Sequence, residues 1–180
     1  MIKIDDRYFE ISISEQKIGE SIGRIAERMN HDYNGKSPVF ISILNGAFMF
    51  TADLVRMLDF QPEIIFAKFS SYQGLDTTGE VKTLIGVNKN LEGRDIVIIE
   101  DIIDTGITMS EILPAINKMK PSSVRIATLL FKPEKLSRQI TIDYCAMEIP
   151  NDFIVGYGLD YNGLGRNLKD IYTVVEKQEQ

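Results

Sequence analysis

Apolar positions along the chain recur with two periods. Between residues 14 and 30, Ile18, Ile22, Ile25 and Met29 fall at helical spacing among charged residues and predict an amphipathic helix. Ser12 and Ser14 can each cap its start, and Ser12-x-x-Glu15 has the spacing of a capping box. Asn34-Gly35 marks a turn. Short apolar runs predict strands at Val39–Leu44, Glu63–Phe69, Val97–Glu100 and Val124–Leu130, with shorter ones at Phe153–Tyr157 and Ile171–Val175. Helices are expected at Phe48–Leu58 and from about Thr108 to Met119. Pro114 lies inside the second, and the pattern leaves open whether it kinks the helix or separates a first half-turn. Strand–helix–strand alternation with apolar strands predicts an α/β domain, with a mostly parallel central sheet and helices on both faces. The polar, Gly-bearing stretch from Ser70 to Lys82 reads as a hairpin tip or a long mobile loop, of the kind that forms lids.

A chain of 180 residues, 44% hydrophobic and 26% charged, is sized for one globular domain spanning residues 1–180. No repeat or Pro/Ser-rich linker divides it. The net charge of −6 argues against a nucleic-acid partner. It also requires that any anion site concentrate its positive groups locally. The lone cysteine, Cys145, sits in an apolar strand-like run; it excludes an internal disulfide framework and fits a reducing, cytoplasmic setting. No apolar run reaches the ~18 residues of a membrane span, and the N-terminus lacks a signal-peptide core. The single His31 falls in a polar stretch read as a post-helix loop, and one His with one Cys argues against a zinc site or a Ser/His/Asp triad.

The chemistry concentrates at residues 96–108. Ile96–Ile99 read as a buried parallel strand, closed by the carboxylates Glu100 and Asp101. Asp104 follows after Ile102 and Ile103, and Thr105-Gly106-Ile107-Thr108 turns into the next helix. The carboxyl end of a parallel strand is where open α/β sheets bind ligands. A Thr/Gly turn opening a helix offers hydroxyls and backbone N–H groups to a phosphate. Acids beside a phosphate repel it unless they bind its sugar hydroxyls or a metal. The combination points to a phosphorylated sugar with Mg²⁺; the bland alternative is a buried strand with a solvated acidic turn.

Glu100-Asp101-Ile102-Ile103-Asp104-Thr105-Gly106 resembles the phosphoribosyl-diphosphate (PRPP) signature of type I phosphoribosyltransferases, in the wording of the hypoxanthine/guanine phosphoribosyltransferase family. Phe153-Ile154-Val155-Gly156-Tyr157-Gly158-Leu159-Asp160-Tyr161 is a second block similar to that family. The resemblance spans roughly residues 38–175. It implies the type I phosphoribosyltransferase fold, with a small hood from the termini. Glu100 and Asp101 would bind the ribose hydroxyls, and Asp104 would handle the proton at purine N7. Thr105, Gly106, Ile107 and Thr108 would wrap the 5′-phosphate. Leu44, Asn45 and Gly46 match the diphosphate loop, where relatives often carry Lys at the position of Asn45, so backbone contacts are expected there. Ser71-Tyr72 matches a loop that closes over the diphosphate and excludes water.

Lys132, at a strand exit, matches a lysine that contacts purine O6 and so favours 6-oxopurines. Ile102, Phe153, Ile154 and Asp160 complete the implied base site, with the Phe153 ring stacked on the purine. Asp160, with Glu100 and Asp101, matches the Mg²⁺ ligands, and Arg166 matches an arginine on the diphosphate. The sequence departs from relatives at Gly163-Leu164-Gly165, just before Arg166.

The implied activity is purine salvage: transfer of the 5-phosphoribosyl group from PRPP to N9 of hypoxanthine, and of guanine, by a homodimer or homotetramer. Three rivals stand beside it. A PRPP- or nucleotide-sensing regulator that binds RNA on the same fold is disfavoured by the acidic charge. An orotate or adenine phosphoribosyltransferase is disfavoured by Lys132 and Phe153. A nucleotide-binding module without turnover has no use for Asp104.

Overall fold

In the computed structural model the described residues are 1–70, 82–85, 87 and 89–176. Ser71, Tyr72 and the remainder of the expected lid through residue 81 lie outside them. The central sheet has six strands: β3 (Val39–Ile43), β4 (Glu63–Ser70), β5 (Lys82–Ile85), β6 (Asp95–Ile103), β7 (Ser123–Phe131) and β8 (Tyr144–Glu148). Their order is β5-β4-β3-β6-β7-β8. Every pair is parallel except β4 with β5 at the edge. A second, antiparallel sheet of four strands runs β1 (Ile2–Ile4), β2 (Arg7–Ile13), β10 (Ile171–Val175) and β9 (Ile154–Val155), and is the hood built from the two termini.

Three helices cover both faces of the central sheet: α1 (Glu15–Asp32), α2 (Phe48–Arg56) and α3 (Ile107–Asn117). One face of the strands, including Phe40, Val97, Ile99 and Leu129, packs on Ile18, Ile22, Ile25 and Met29 of α1 and Phe50 and Leu54 of α2. The opposite face, including Ile41, Ile98 and Ile126, packs on Met109, Ile112 and Ile116 of α3. Strands buried on both faces must be apolar at successive positions, which is why β3 reads Val-Phe-Ile-Ser-Ile. Its one polar side chain, Ser42, is satisfied by the Thr51 hydroxyl at 2.7 Å.

Several expectations are corrected. Ser14, not Ser12, caps α1: its hydroxyl accepts from Lys17 N at 3.3 Å, while Ser12 Oγ donates to Ile171 O in the hood. His31 lies in the last turn of α1 rather than in a loop, with its ring in solvent. The strand carrying the acids does not end at Glu100. It continues to Ile103, with Glu100 opposite Thr128 and Ile102 opposite Leu130 on β7. α2 stops at Arg56, short of Leu58. The strand expected at 153–157 shrinks to Ile154–Val155, because Gly156 (φ 106°) and Tyr157 (φ 49°) leave the extended region. Pro114 sits within a continuous α3, and Lys118 N still bonds Pro114 O at 3.1 Å.

Below the sheet, the end of α1 is tied to β7 and β8. Asp32 Oδ2 accepts from Tyr144 Oη at 2.7 Å and from Arg125 Nη1 at 2.6 Å. The Arg125 guanidinium lies 5.5 Å from the Tyr33 ring centre. The Tyr144 hydrogen bond, helped by His31 and Arg125, lowers the Asp32 pKa from 3.8 to about 2. A depressed carboxylate stabilises the fold above its unfolded pKa, and that stability is lost as pH falls through the folded one. Asp32→Asn should therefore cost about 1 kcal/mol at pH 7, a value discounted for the partial exposure of the pair. The gap from the parent should close between about pH 4 and pH 2. Urea midpoints at the two ends check it; a pH-independent gap would remove the ion pair as its cause.

Candidate active site

The site assembles at the carboxyl edge of the parallel sheet, where β3, β6 and β7 end side by side. Residues 100–106 with Thr108 and Met109 line a cavity of about 280 Å³. Glu100 is buried at 8% exposure, and its Oε2 has no hydrogen-bond partner among the described residues. Burial, aided by the neighbouring Asp101 carboxylate, pushes the Glu100 pKa well above the usual carboxylate range. Positive charge brought beside it would favour its ionised form. Asp101 Oδ1 accepts from Ile102 N at 2.9 Å, which turns its carboxylate back over the β3–α2 turn.

That turn, Leu44-Asn45-Gly46, opens with a cis peptide between Leu44 and Asn45. Gly46 is required by close approach: a Cβ there would lie 1.4 Å from Asp101 Oδ2. Gly158 closes on the same turn from the other side, and a Cβ on it would lie 2.1 Å from Gly46 O. The diphosphate-loop candidates, the leading acids and the second sequence block therefore meet at one place.

Asp104 follows two residues after Ile102, just past the strand end. Its Oδ2 accepts from Lys135 Nζ at 3.1 Å and lies 3.7 Å from Lys132 Nζ. Its Oδ1 is buried and has no partner among the described residues. Lys132 is 5% exposed and donates to Asp152 O at 2.8 Å, and burial lowers its pKa. It thus links Asp104 to Phe153, the next residue along. Phe153 is 41% exposed, a large share for an aromatic ring. Tyr161 meets it edge-on at 5.6 Å, and the Arg7 guanidinium of the hood lies 5.6 Å from its centre. Ile154 begins β9 beside it.

Gly106 caps α3 with φ 78°, and the turn is held by Ile107 N donating to Thr105 Oγ1 at 3.4 Å. Ile107 and Thr108 are exposed at the first turn of this eleven-residue helix, whose N-terminal N–H groups and dipole favour an anion. Asp160 and Arg166 are paired with each other. Arg166 Nη2 meets Asp160 Oδ1 at 2.6 Å and Nη1 donates to Gly158 O at 2.7 Å, while Asp160 Oδ2 accepts from Gly163 N at 2.8 Å. Among the described residues no group of three or more His, Cys, Asp or Glu side chains is gathered to hold a metal by itself.

Two side chains at the site were not singled out from sequence. Arg7 had no signal. Neither had Lys135, which the 3₁₀ turn Pro133–Lys135 brings, with Lys132, beside Asp104.

A family model described as the phosphoribosyl transferase domain matches residues 12–162. A hypoxanthine-guanine phosphoribosyltransferase of Streptococcus pyogenes is 43% identical over 171 residues, covering 94% of each chain. One of Streptococcus thermophilus is 42% identical with the same coverage. Among solved structures, a hypoxanthine-guanine phosphoribosyltransferase of Bacillus anthracis superposes with a TM-score of 0.87 at 36% identity, over 94% of this chain and 99% of that one. A hypoxanthine phosphoribosyltransferase of Staphylococcus aureus gives 0.87 at 38% identity, over 92% of this chain and 91% of that one. An acid-lined cavity at the edge of this sheet, in a chain so similar from end to end, has one reading: the chain belongs to the hypoxanthine-guanine phosphoribosyltransferase family.

Proposed function

We propose that this chain transfers the 5-phosphoribosyl group of PRPP to N9 of a 6-oxopurine, hypoxanthine or guanine, with release of diphosphate. The observation that carries the reading is the convergence of Glu100, Asp101 and Asp104 with the Thr105–Thr108 helix start on one cavity, with Lys132 3.7 Å from Asp104. C1′–N9 forms as C1′–O to the diphosphate breaks. The Asp104 carboxylate accepts the purine proton. The Lys132 ammonium donates to O6, a contact that adenine cannot accept with its 6-amino group. The exposed Phe153 ring supplies the stacking surface, with Ile102 and Ile154 at the base edges. Glu100 and Asp101 orient the ribose. The turn from Thr105 to Thr108 takes the 5′-phosphate, and Leu44-Asn45-Gly46 takes the diphosphate through its backbone.

Mg²⁺ fits the acids. An unpartnered buried carboxyl oxygen on Glu100, beside Asp101, suits a hard cation whose other ligands come from the substrate. Bound there, the ion supplies neutralisation of the leaving diphosphate. Asp160, the third residue matched to a ligand, would have to give up its ion pair with Arg166 to hold the cation, and Arg166 would then be free for the diphosphate. Ser71-Tyr72 is proposed to close the site. A homodimer or homotetramer in the cytoplasm completes the proposal; no helix among the described residues is long and apolar enough to cross a membrane. The regulator reading gains no support, since the relatives bear an enzyme's name across 94% of the chain.

The test is an assay with PRPP, Mg²⁺ and each purine base in turn, following nucleotide formation. Hypoxanthine should be converted and adenine left. Absence of nucleotide with every 6-oxopurine would sink the proposal. Within it, Lys132→Ala should raise the hypoxanthine KM by about ten- to a hundredfold, the scale of a lost hydrogen bond to a buried polar group. The PRPP KM should move much less. An unchanged hypoxanthine KM would take Lys132 out of the base site.

A further inference from the structure

Asp104 faces two ammonium groups, but only one of them hydrogen-bonds it. Lys135 Nζ donates to Oδ2 at 3.1 Å, whereas Lys132 stands 3.7 Å away and gives its hydrogen bond to Asp152 O at 2.8 Å. The segment carrying Lys135 is fastened to the segment carrying Asp104 on both sides of the pair. Lys132 N donates to Ile103 O at 3.0 Å, and Ser137 N donates to Thr105 O at 3.0 Å, with Ser137 Oγ on the same carbonyl at 3.1 Å. Leu136 packs against Gly106, where a Cβ would come within 3.0 Å of its Cδ1. Lys135 thus has a fixed origin relative to the carboxylate it holds.

We propose that Lys135 is a positioning residue for Asp104: it anchors Oδ2 and so fixes the carboxylate plane relative to the base site. A carboxylate with one oxygen tethered loses its free rotation and keeps one plane toward the site. The arrangement divides the two lysines. Lys132, buried and held by Asp152, serves the base; Lys135, partly exposed, serves Asp104.

The inference rests on the phosphoribosyl-transfer reading, and one set of measurements separates the two. The unmutated protein, Lys135→Ala, Lys135→Met and Lys135→Arg are compared for kcat, hypoxanthine KM and PRPP Kd. Lys135→Met keeps the aliphatic stem, so loss of packing is not mistaken for loss of the ammonium. Ala and Met should both lower kcat by about tenfold or more, a part of the ~10²–10⁴-fold that general acid–base help supplies. KM and Kd should stay within about threefold, and Arg, which can still donate to Oδ2, should recover most of the rate. In the Asp104→Asn background, Lys135→Met should change kcat by less than about twofold, because the lysine acts only through Asp104. A Lys135→Met protein with unreduced kcat overturns the proposal. So does a Lys135→Met loss that is fully retained on top of Asp104→Asn. Failure of the unmutated protein to form nucleotide overturns instead the reading beneath it.

Discussion

Asp104→Asn should lower kcat by about 10²–10⁴-fold while leaving the PRPP Kd within a few-fold, because it removes a proton acceptor and keeps the shape. The geometry says which atom changes role. Oδ2 is held by Lys135 at 3.1 Å with Lys132 nearby, so in the variant the amide oxygen is drawn to that side. The amide NH₂ then takes the place of Oδ1, the buried atom without a partner. In either orientation the amide has no carboxylate oxygen to take a proton, so the purine proton cannot be received. If Asp104 only bound ribose, an amide could still hydrogen-bond and kcat would hardly fall. Single-turnover rates and PRPP Kd measured side by side decide the matter. Near-normal kcat with lost PRPP affinity would place Asp104 among the ribose or phosphate contacts.

What was legible in sequence follows from which forces act locally. The apolar face of α1 and the double-sided burial of β3, β6 and β7 are written in side-chain period and were read correctly as elements. Their ends were not. The strand β6 outlasts its apolar run because Glu100, Ile102 and Ile103 keep their registry with β7, and registry is a tertiary property. α1 runs on through His31 because the chain does not turn until after Asp32, where Tyr144 and Arg125 hold it. At the site, the motif named Glu100, Asp101, Asp104 and the turn to Thr108, and the structure brings these around one cavity. The motif could not show that a Cβ on Gly46 would run into Asp101, or that a Cβ on Gly158 would run into the Gly46 carbonyl. Nor could it show that Asp104 is shared between two lysines, since the second belongs to no recognised block.

Glu100→Gln should make the protein more stable and a poorer enzyme at once. The side chain is buried, one oxygen is unsatisfied, and burial with the neighbouring Asp101 charge raises its pKa well above the usual range. For an acid whose folded pKa exceeds its unfolded value, stability is full below the unfolded pKa of about 4.3 and declines as pH rises through the folded one. Glutamine keeps the shape and does not titrate. The variant should therefore match the parent near pH 4 and exceed it increasingly toward pH 8. There the gain should be about 1–3 kcal/mol, the scale of the desolvation penalty that ionising a buried acid carries, or roughly 2–12 °C in Tm for a domain of this size. Catalysis moves the other way. A carboxyl kept in an environment hostile to its charge is a strong partner for a cation that restores that charge, and an amide is a weak one. Mg²⁺-dependent PRPP binding should weaken by about tenfold or more, with kcat at saturating PRPP falling less than in Asp104→Asn. Melting curves at pH 5 and pH 8, with PRPP titrations at fixed Mg²⁺, test both halves. A Tm gap that is flat with pH would detach the stability effect from Glu100 ionisation, and unchanged PRPP affinity would leave Glu100 without a part in binding.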